Sequence, residues 1–174
     1  MDRTRSLSRV TLTRAPARLV GAEGDGERIL GRVRDLACTA LAAEQVGAAE
    51  RALEITIQYA KDRVQFGRPI GSFQAVKHRL ADLYVQVESA RSIALAAAHS
   101  DAAPAIAAAA KSACSEAYSA VASEMIQLHG GIGITWEHPA HDYFKRAHGS
   151  AQLFGPPAAH RERIATGLGW TGVT

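Results

Sequence analysis

The sequence predicts an all-α fold, an antiparallel four-helix up-down bundle with a short N-terminal β remnant. Three stretches support this prediction. The first runs from about residue 27 to 64 without a proline, and the second, 73–94, spaces its apolar residues in steps of three and four. The third, about 105–128, is rich in alanine. Such spacing marks one face of a helix, and small alanine side chains let helix axes approach closely.

Residues 1–25 differ in composition from the rest of the chain. The segment "SLSRVTLTRAPARLVG" alternates apolar and polar residues around Val10 and Leu12 before it reaches Pro16, which predicts one strand. A lone strand is not stable by itself, so it would need a sheet supplied from elsewhere. We therefore divide the chain into a β remnant with a linker, 1–25, and a helical bundle, 26–174.

The helices follow one another with recognisable breaks. Asp25 is the predicted N-cap of the first helix, "FGRPIG" ends that helix, and Ser72 is the predicted cap of the second. "SDAAPA" separates the second helix from the third, and two short helices follow at about 138–150 and 158–167. The predicted packing stripe of the first helix consists of Val33, Ala37, Ala40, Glu44, Gly47 and Leu53.

Composition excludes several function classes. Apolar residues make up 47% of the 174 residues, charged residues 21%, and the net charge is +3, as in an ordinary globular domain. No apolar run approaches the ~20 residues that span a bilayer, and the basic start "MDRTRSLSRV" lacks the apolar core of a secretory signal. The positive charges are scattered, which argues against nucleic-acid binding. Cys38 and Cys114 have no disulfide or metal motif, so we predict buried thiols, no metal site and a cytoplasmic location.

The stretch "QLHGGIG" places three glycines within four residues at the end of the third helix. A helix C-cap explains one of them, whereas Gly131 and Gly133 each add an ordering cost. Missing side chains also permit a ligand or another chain to approach the backbone. The negative end of a helix dipole is a poor phosphate site unless a cation comes from elsewhere. A helix stop and a ligand cradle both remain open at this point.

The stretch "YAKDRVQFGRPIGSFQ" also has two interpretations. In the structural one, Arg63 complements a helix end, Phe66 is buried and Gly67 turns the chain. In the functional one, Arg63, Gln65, Phe66 and Gln74 offer a cation, amide groups and an aromatic face at one corner. That set suits a dinucleotide, since the cation binds pyrophosphate and the ring packs against the ligand.

These residues resemble a known family. "RVQFGRPIGSFQAVKHRLADLY" is similar to the signature at the second long helix of acyl-CoA dehydrogenases, and "QLHGGIGITWEHPAHDYFKRA" to their later Q-x-x-GG-x-G…E-x-P…R segment. "VTLTRAPARLVGAEGDG" resembles the junction between the family's β-domain and its C-terminal bundle. The resemblance covers essentially the whole chain. It implies a C-terminal four-helix bundle that tetramerises, with FAD lying between subunits.

The resemblance also assigns cofactor contacts. In the family, the arginine-phenylalanine corner and the Gln/Gly-Gly loop hold the adenosine and pyrophosphate of a neighbour's flavin. The matching residues here are Arg63, Gln65, Phe66, Gln74, Gln127, Leu128, Gly130 and Gly131. On this interpretation the loop is both a helix stop and a cradle, and a partner chain's Arg63 supplies the missing positive charge.

The chain departs from the family at the catalytic base. The reaction needs a carboxylate that removes the substrate α-proton while a hydride leaves the β-carbon for flavin N5. At the family's glutamate position this sequence has Gly155, followed by Pro156 and Pro157, and the alternative base position on the first helix is Ala37. The other side chains that could replace the base are Glu44, Glu137, His129 and His148. For each of them we favour a structural role. We therefore predict no catalytic residue in this chain.

The family's N-terminal helical domain and most of its β-domain have no counterpart here, which indicates a fragment or, less simply, a short partner subunit. The departures resemble base-less subunits of heteromeric acyl-CoA dehydrogenases from bacterial degradation of steroids and other bulky acyl-CoA compounds. We expect a homo- or hetero-oligomer that acts on an acyl-CoA, with this chain inactive and without a stable FAD complex when alone. The alternatives are a non-catalytic oligomerisation scaffold without cofactor contact and a relative that oxidises acyl-CoA with oxygen.

Overall fold

A computed structural model of the chain describes residues 2 and 4–170. The fold is helical, as the sequence predicts, and one two-stranded hairpin follows the first helix. The elements are α1 Gly26–Asp62, β1 Val64–Gln65, β2 Arg68–Pro69, a 3-10 turn Ile70–Ser72, α2 Gln74–His99, α3 Pro104–His129, α4 Gly131–Ile134, α5 Ala140–Gln152 and α6 Pro157–Gly167.

Helices α1 and α2 run in opposite directions. Arg32, near the start of α1, forms an ion pair of 2.9 Å with Asp101, which follows the end of α2. Farther along α1, Glu50 forms an ion pair of 2.5 Å with Arg91 in the last third of α2. The bundle therefore begins as a helical hairpin whose corner is the segment 63–74, which includes the first residue of α2.

Helix α3 runs parallel to α1, so the last residues of both helices lie at the same end of the bundle. In the middle of the two helices, the Gln45 amide donates to the Ser115 hydroxyl at 3.0 Å. At their ends, the Tyr59 hydroxyl donates to the His129 carbonyl at 3.3 Å. This arrangement brings the two motifs "YAKDRVQFGRPIGSFQ" and "QLHGGIG", which are far apart in the sequence, to one end of the molecule.

The core between the long helices is built largely from small side chains. One half holds larger residues, among them Val87, Tyr118 and Met125. The other half consists almost wholly of alanine, with Val46 and Cys114 as its larger members. Cys38 and Cys114 are both buried free thiols, as the sequence predicts. None of the helices in the described ranges is long and apolar enough to cross a membrane.

The predicted N-terminal strand is wrong. Within residues 2 and 4–25 the structure contains no strand, and Val10 and Leu12 are 78% and 77% exposed. A strand needs a neighbour for its backbone hydrogen bonds, and the hairpin after α1 does not reach this segment. The first residues are instead held by side chains, since Arg146 donates to the Thr4 carbonyl at 2.9 Å and Arg5 to the Ser150 hydroxyl at 3.2 Å.

The predicted cap of α1 is confirmed in position, whereas the cap of α2 differs from the predicted one. Asp25 does occupy the N-cap position of α1, but its carboxylate accepts from the Ala22 amide at 2.9 Å instead of from a helix amide. The N-cap of α2 is Phe73, because the hydroxyl of Ser72 donates to the Pro69 carbonyl at 2.7 Å. The Ser72 side chain therefore closes the preceding 3-10 turn.

The predicted packing stripe of α1 is also displaced. Of its members, Leu53 is buried, whereas Val33, Ala40, Glu44 and Gly47 are exposed. The buried face passes through Cys38, Leu41, Ala42, Gln45, Val46, Ala49 and Ala52. Alanines lie on both faces of this helix, so the apolar pattern alone does not show which face of α1 packs against the other helices.

Candidate functional site

The two glycine-containing motifs meet through an aromatic contact between α1 and α3. The rings of Tyr59 and His129 stack with their centroids 4.2 Å apart. The Tyr59 hydroxyl also donates to the His129 carbonyl, the last carbonyl of α3. This contact fixes the end of α1, where the corner begins, against the end of α3, where the loop begins.

The corner is a tight hairpin that displays its phenylalanine. Gln65 pairs with Arg68, and the two residues between them, Phe66 and Gly67, have φ of 53° and 76°. Two consecutive positive φ values are typical of a type I′ turn, but a phenylalanine rarely adopts one. Phe66 is 92% exposed, so the interpretation in which its ring is buried is wrong. A bulky apolar ring held in this conformation at the surface is suited to pack against a molecule outside the chain.

The remaining corner residues are also available at the surface. Arg63, the C-cap of α1, is exposed and has no carboxylate within 4 Å in the part of the chain that the structure describes. Gln65 is exposed, with its amide donating to the neighbouring Val64 carbonyl at 2.8 Å. Gln74 is exposed as the first residue of α2. The corner thus presents a free cation, two amides and an aromatic ring.

The three glycines of "QLHGGIG" have three different explanations. Gly130 ends α3 with φ of 62°, a conformation that favours glycine. Gly133 is buried, and a Cβ there would come within 3.0 Å of the Ile126 carbonyl oxygen. A Cβ on Gly131 would meet no heavy atom of the described chain within 4 Å, and its φ is not positive. The fold itself therefore explains Gly130 and Gly133 but leaves Gly131 without a reason inside the chain.

Beside these glycines, Gln127 is exposed on the last turn of α3 and Leu128 is half-buried. The eight residues that the sequence predicts for the cofactor therefore lie at one end of the bundle, in two exposed segments joined by the Tyr59–His129 contact. Three or more His, Cys, Asp or Glu side chains suited to hold a metal ion do not come together anywhere in residues 2 and 4–170.

His129 is a packed residue and not an accessible base. It is 3% exposed, and its Nδ1 lies 2.7 Å from the Met125 carbonyl, which fixes the proton on Nδ1. Its ring lies against Tyr59 and also 4.3 Å from that of His138. Burial lowers the pKa of His129, so the imidazole stays neutral near pH 7.

The other substitute bases also have structural environments. Glu44 accepts from Arg5 at 2.7 and 2.8 Å and from the Nε of Arg146 at 3.0 Å. His148 is exposed, with its Nδ1 2.9 Å from the Phe144 carbonyl, and Glu137 is exposed beyond α4. Two guanidinium groups therefore bind the Glu44 carboxylate, and both of its oxygens already accept hydrogen bonds from within the chain.

The two positions that the resemblance assigns to the base, Gly155 and Ala37, lie near one cleft of about 440 Å³. Ala37 lines this cleft together with Leu41 and Phe154, and Gly155 directly follows Phe154. The carboxylate that lines the cleft is that of Glu44. Gly155 has no side chain and Ala37 has only a methyl group, so neither residue can accept a proton.

Acidification below pH 6.5 is expected to destabilise the fold. Burial lowers the pKa of His129, His138 and His160 in the folded chain. Below 6.5 the unfolded chain therefore binds more protons than the folded one, and stability falls as pH drops from 6.5 to the folded-state pKa values. Each histidine contributes at most about 1.4 kcal/mol per pH unit. Urea unfolding between pH 7.5 and 5.5 measures the slope.

His129→Gln should reduce that slope, because it removes one buried titrating group. His78→Gln, at an exposed position on α2, is the matched control and should leave the slope as it is in the native sequence. Equal slopes for all three chains would contradict the assignment of acid sensitivity to the buried rings.

Sequence reasoning missed Lys111 and the two arginines that hold Glu44. Lys111 is completely buried in α3, with its Nζ donating to backbone carbonyls near the cleft. A signal was present, since one lysine interrupts the run "AAAAKSACS" in which all other residues are small. The long-range partners of Arg5 and Arg146 have no comparable local signal.

Comparisons with known proteins agree on one family. A family model described as "Acyl-CoA dehydrogenase, C-terminal domain" matches residues 26–169. Acyl-CoA dehydrogenase IpdE2 of Mycobacterium tuberculosis is 60% identical over 132 residues, which cover 76% of this chain and 41% of IpdE2. This chain thus spans less than half the length of that relative.

Solved structures extend the likeness to the fold. Butyryl-CoA dehydrogenase from Megasphaera elsdenii matches with a TM-score of 0.82 and 32% identity, over 85% of this chain and 40% of that one. The ChsE4–ChsE5 complex from Mycobacterium tuberculosis matches with a TM-score of 0.74 and 36% identity, over 86% of this chain and 41% of that one. The helical arrangement described above is therefore shared with these enzymes over most of the chain.

Proposed function

The chain belongs to the acyl-CoA dehydrogenase family as a C-terminal domain, and on that premise we propose that it contributes FAD contacts to a partner subunit. The complex would carry out α,β-dehydrogenation of an acyl-CoA thioester. FAD, when bound, supplies the hydride acceptor. This chain's part is to bind and orient the adenosine and pyrophosphate, while the partner provides the base.

The bare backbone at Gly131 is the observation that carries this proposal. The open space beside it lies at the same end of the bundle as this chain's own Arg63 and Phe66, both exposed. We therefore assign the positive charge to this chain's Arg63 and not, as expected from the sequence, to the Arg63 of a partner chain. A guanidinium that lacks a carboxylate partner favours a pyrophosphate, and an exposed ring favours a stacked or edge contact with the ligand. Gln65, Gln74 and Gln127 would add amide contacts around it, and Leu128 and Gly130 would complete the cradle.

The lack of a base in this chain is the second half of the proposal. Gly155 and Ala37 occupy the family base positions, and the nearby carboxylate of Glu44 is engaged by Arg5 and Arg146. Proton abstraction near the cleft therefore needs a carboxylate that another chain contributes. We propose a hetero-oligomer, for which the ChsE4–ChsE5 complex is a related example.

Exposed apolar residues on α2 support oligomer formation. Tyr84, Val85 and Leu95 are exposed on this long helix. The same exposed α2 residues favour the second candidate function, a helical scaffold that assembles with a partner and contacts no cofactor.

We also propose an assignment of the domains. Helices α1, α2, α3 and α5 would be the four helices of the bundle, and residues 1–25 would be the remnant that leads from the family's β-domain.

The chain purified alone is expected to be colourless and inactive. It supplies one edge of the proposed flavin site and no base, so neither FAD retention nor reduction of an electron-accepting dye with an acyl-CoA should occur. Flavin absorbance after gel filtration and a dye-reduction assay measure both properties. Turnover by the isolated chain would contradict the proposal.

A further inference from the structure

Lys111 is a fully buried lysine whose three protons all have acceptors. It is 0% exposed in the middle of α3. Its Nζ donates to the Ala151 carbonyl at 3.0 Å, to the Gly155 carbonyl at 3.2 Å and to the Ser115 hydroxyl at 3.0 Å. An ammonium group has three donors and no acceptor, so this set satisfies it completely with neutral partners.

The two carbonyls belong to the end of α5 and to the turn that follows it. The last carbonyls of a helix lack helical partners, and they form the negative end of the helix dipole. Lys111 therefore caps α5 from a neighbouring helix. Because one ammonium binds both Ala151 and Gly155, it also fixes the distance between the helix end and the turn at residues 153–155.

That turn is strained. Phe154 has φ of 58° and Gly155 has φ of 107°. An aromatic residue with positive φ persists only where its surroundings impose the conformation. The Gly155 amide donates to the Gln152 carbonyl at 3.2 Å, and a Cβ at Gly155 would lie 3.3 Å from the Nε2 of His160.

Packing alone does not explain a lysine here. The surrounding residues of α3 are alanine, serine and cysteine, and burying a charge is costly unless hydrogen bonds compensate it. Burial also lowers the pKa of Lys111, with the thiols of Cys38 and Cys114 as its nearby titratable groups. A methionine would fill the space without that cost, so the ammonium is explained by the carbonyls that it binds.

We propose that Lys111 is a positioning residue that holds the Leu153–Gly155 turn and thereby sets Phe154 in the wall of the 440 Å³ cleft. The identification of this cleft with the acyl-CoA side of the complex rests on the proposed function, whereas the pinning of the turn does not. The lysine keeps the shape of the cleft wall although the residue at the base position is glycine.

Amide hydrogen exchange tests the proposal directly in the purified chain. Lys111→Met removes the donors and keeps the volume, and Lys111→Gln keeps two donors. Ser115→Ala is the matched control, because it disturbs the same buried network and leaves both carbonyl contacts in place. We expect exchange of the Gly155 amide to accelerate at least tenfold in Lys111→Met relative to Ser115→Ala, with Lys111→Gln in between. Equal protection in Lys111→Met and Ser115→Ala would overturn the proposal.

A double-mutant cycle with Phe154→Gly gives a second readout that a mere packing role would not produce. Glycine relieves the strain at this position only while the turn is held in its left-handed form. The unfolding constants should therefore be non-additive by at least fivefold between Phe154→Gly and Lys111→Met. Additive effects would contradict the pinning. If Lys111→Met does not fold, Lys111→Gln takes its place in both experiments. The same changes in amide exchange and in the unfolding constants are then expected, with smaller size.

Discussion

Arg63→Ala combined with Gly131→Leu is expected to lower the flavin content of the assembled, co-expressed complex at least about tenfold. Removing a charge-assisted hydrogen bond to a phosphate costs about 1.5–3 kcal/mol, which corresponds to about a 10- to 100-fold loss of affinity. Leucine at Gly131 fills the space that the chain itself leaves empty. Flavin absorbance per complex, measured after gel filtration, gives the result.

Matched substitutions at the other end of α1 and in its middle serve as the control. Arg28 is an exposed arginine near the start of α1, where it pairs with Asp25, and Gly47 is an exposed glycine with open space around its Cβ position. Arg28→Ala with Gly47→Leu should leave flavin content unchanged. The size of the complex must stay the same in both double variants, since loss of assembly would also remove flavin.

The outcome separates the two candidate functions. If Arg63→Ala with Gly131→Leu leaves flavin content unchanged in an intact complex, the cradle hypothesis fails and the scaffold hypothesis is favoured. If flavin is lost, the single variants show which contact matters more. We expect Arg63→Ala to weaken binding through charge, so that its effect grows at low ionic strength, and Gly131→Leu to act through shape at any salt concentration.

The helices could be predicted from the sequence because their signals are local. The proline-free run, the stepped apolar seam and the alanine-rich run became α1, α2 and α3, with ends within a few residues of those predicted. Local alternation at Val10 and Leu12 could not show whether a strand forms there, because a strand depends on a pairing partner that the alternation does not reveal. The packing face of α1 failed for another reason, since alanine fits either a core or a surface.

The candidate site was predictable in composition but not in geometry. The motifs identified the corner and the loop, yet the proximity of the two depends on α1 and α3 being parallel, a long-range property. The three glycines of "QLHGGIG" look alike in the sequence. Only the folded structure shows that Gly133 is needed for packing and Gly130 for its positive φ. The exposure of Phe66 likewise follows from the type I′ turn and not from its hydrophobicity.

Introducing a carboxylate is expected to have unequal costs at Gly155 and Ala37, the two positions that the resemblance assigns to the base. Gly155→Glu should destabilise the chain by about 1–3 kcal/mol, because a side chain is forced into a positive φ of 107°. Its Cβ would also come within 3.3 Å of the His160 Nε2. Ala37→Glu lies on a regular helix at a half-buried position that lines the cleft, so its cost should stay within about 1 kcal/mol. Urea unfolding at neutral pH gives both values.

Gly155→Ala separates the two causes, because it adds the strained Cβ without the carboxylate and should retain most of the loss seen with glutamate. Unchanged stability of Gly155→Glu would mean that the turn accepts a side chain. The expected loss would instead mean that the turn at Phe154 and Gly155, with Pro156 and Pro157 behind it, has a conformation that does not accept a glutamate. On the proposed function, a single substitution at residue 155 then cannot supply a base to this chain, whereas position 37 remains open to one.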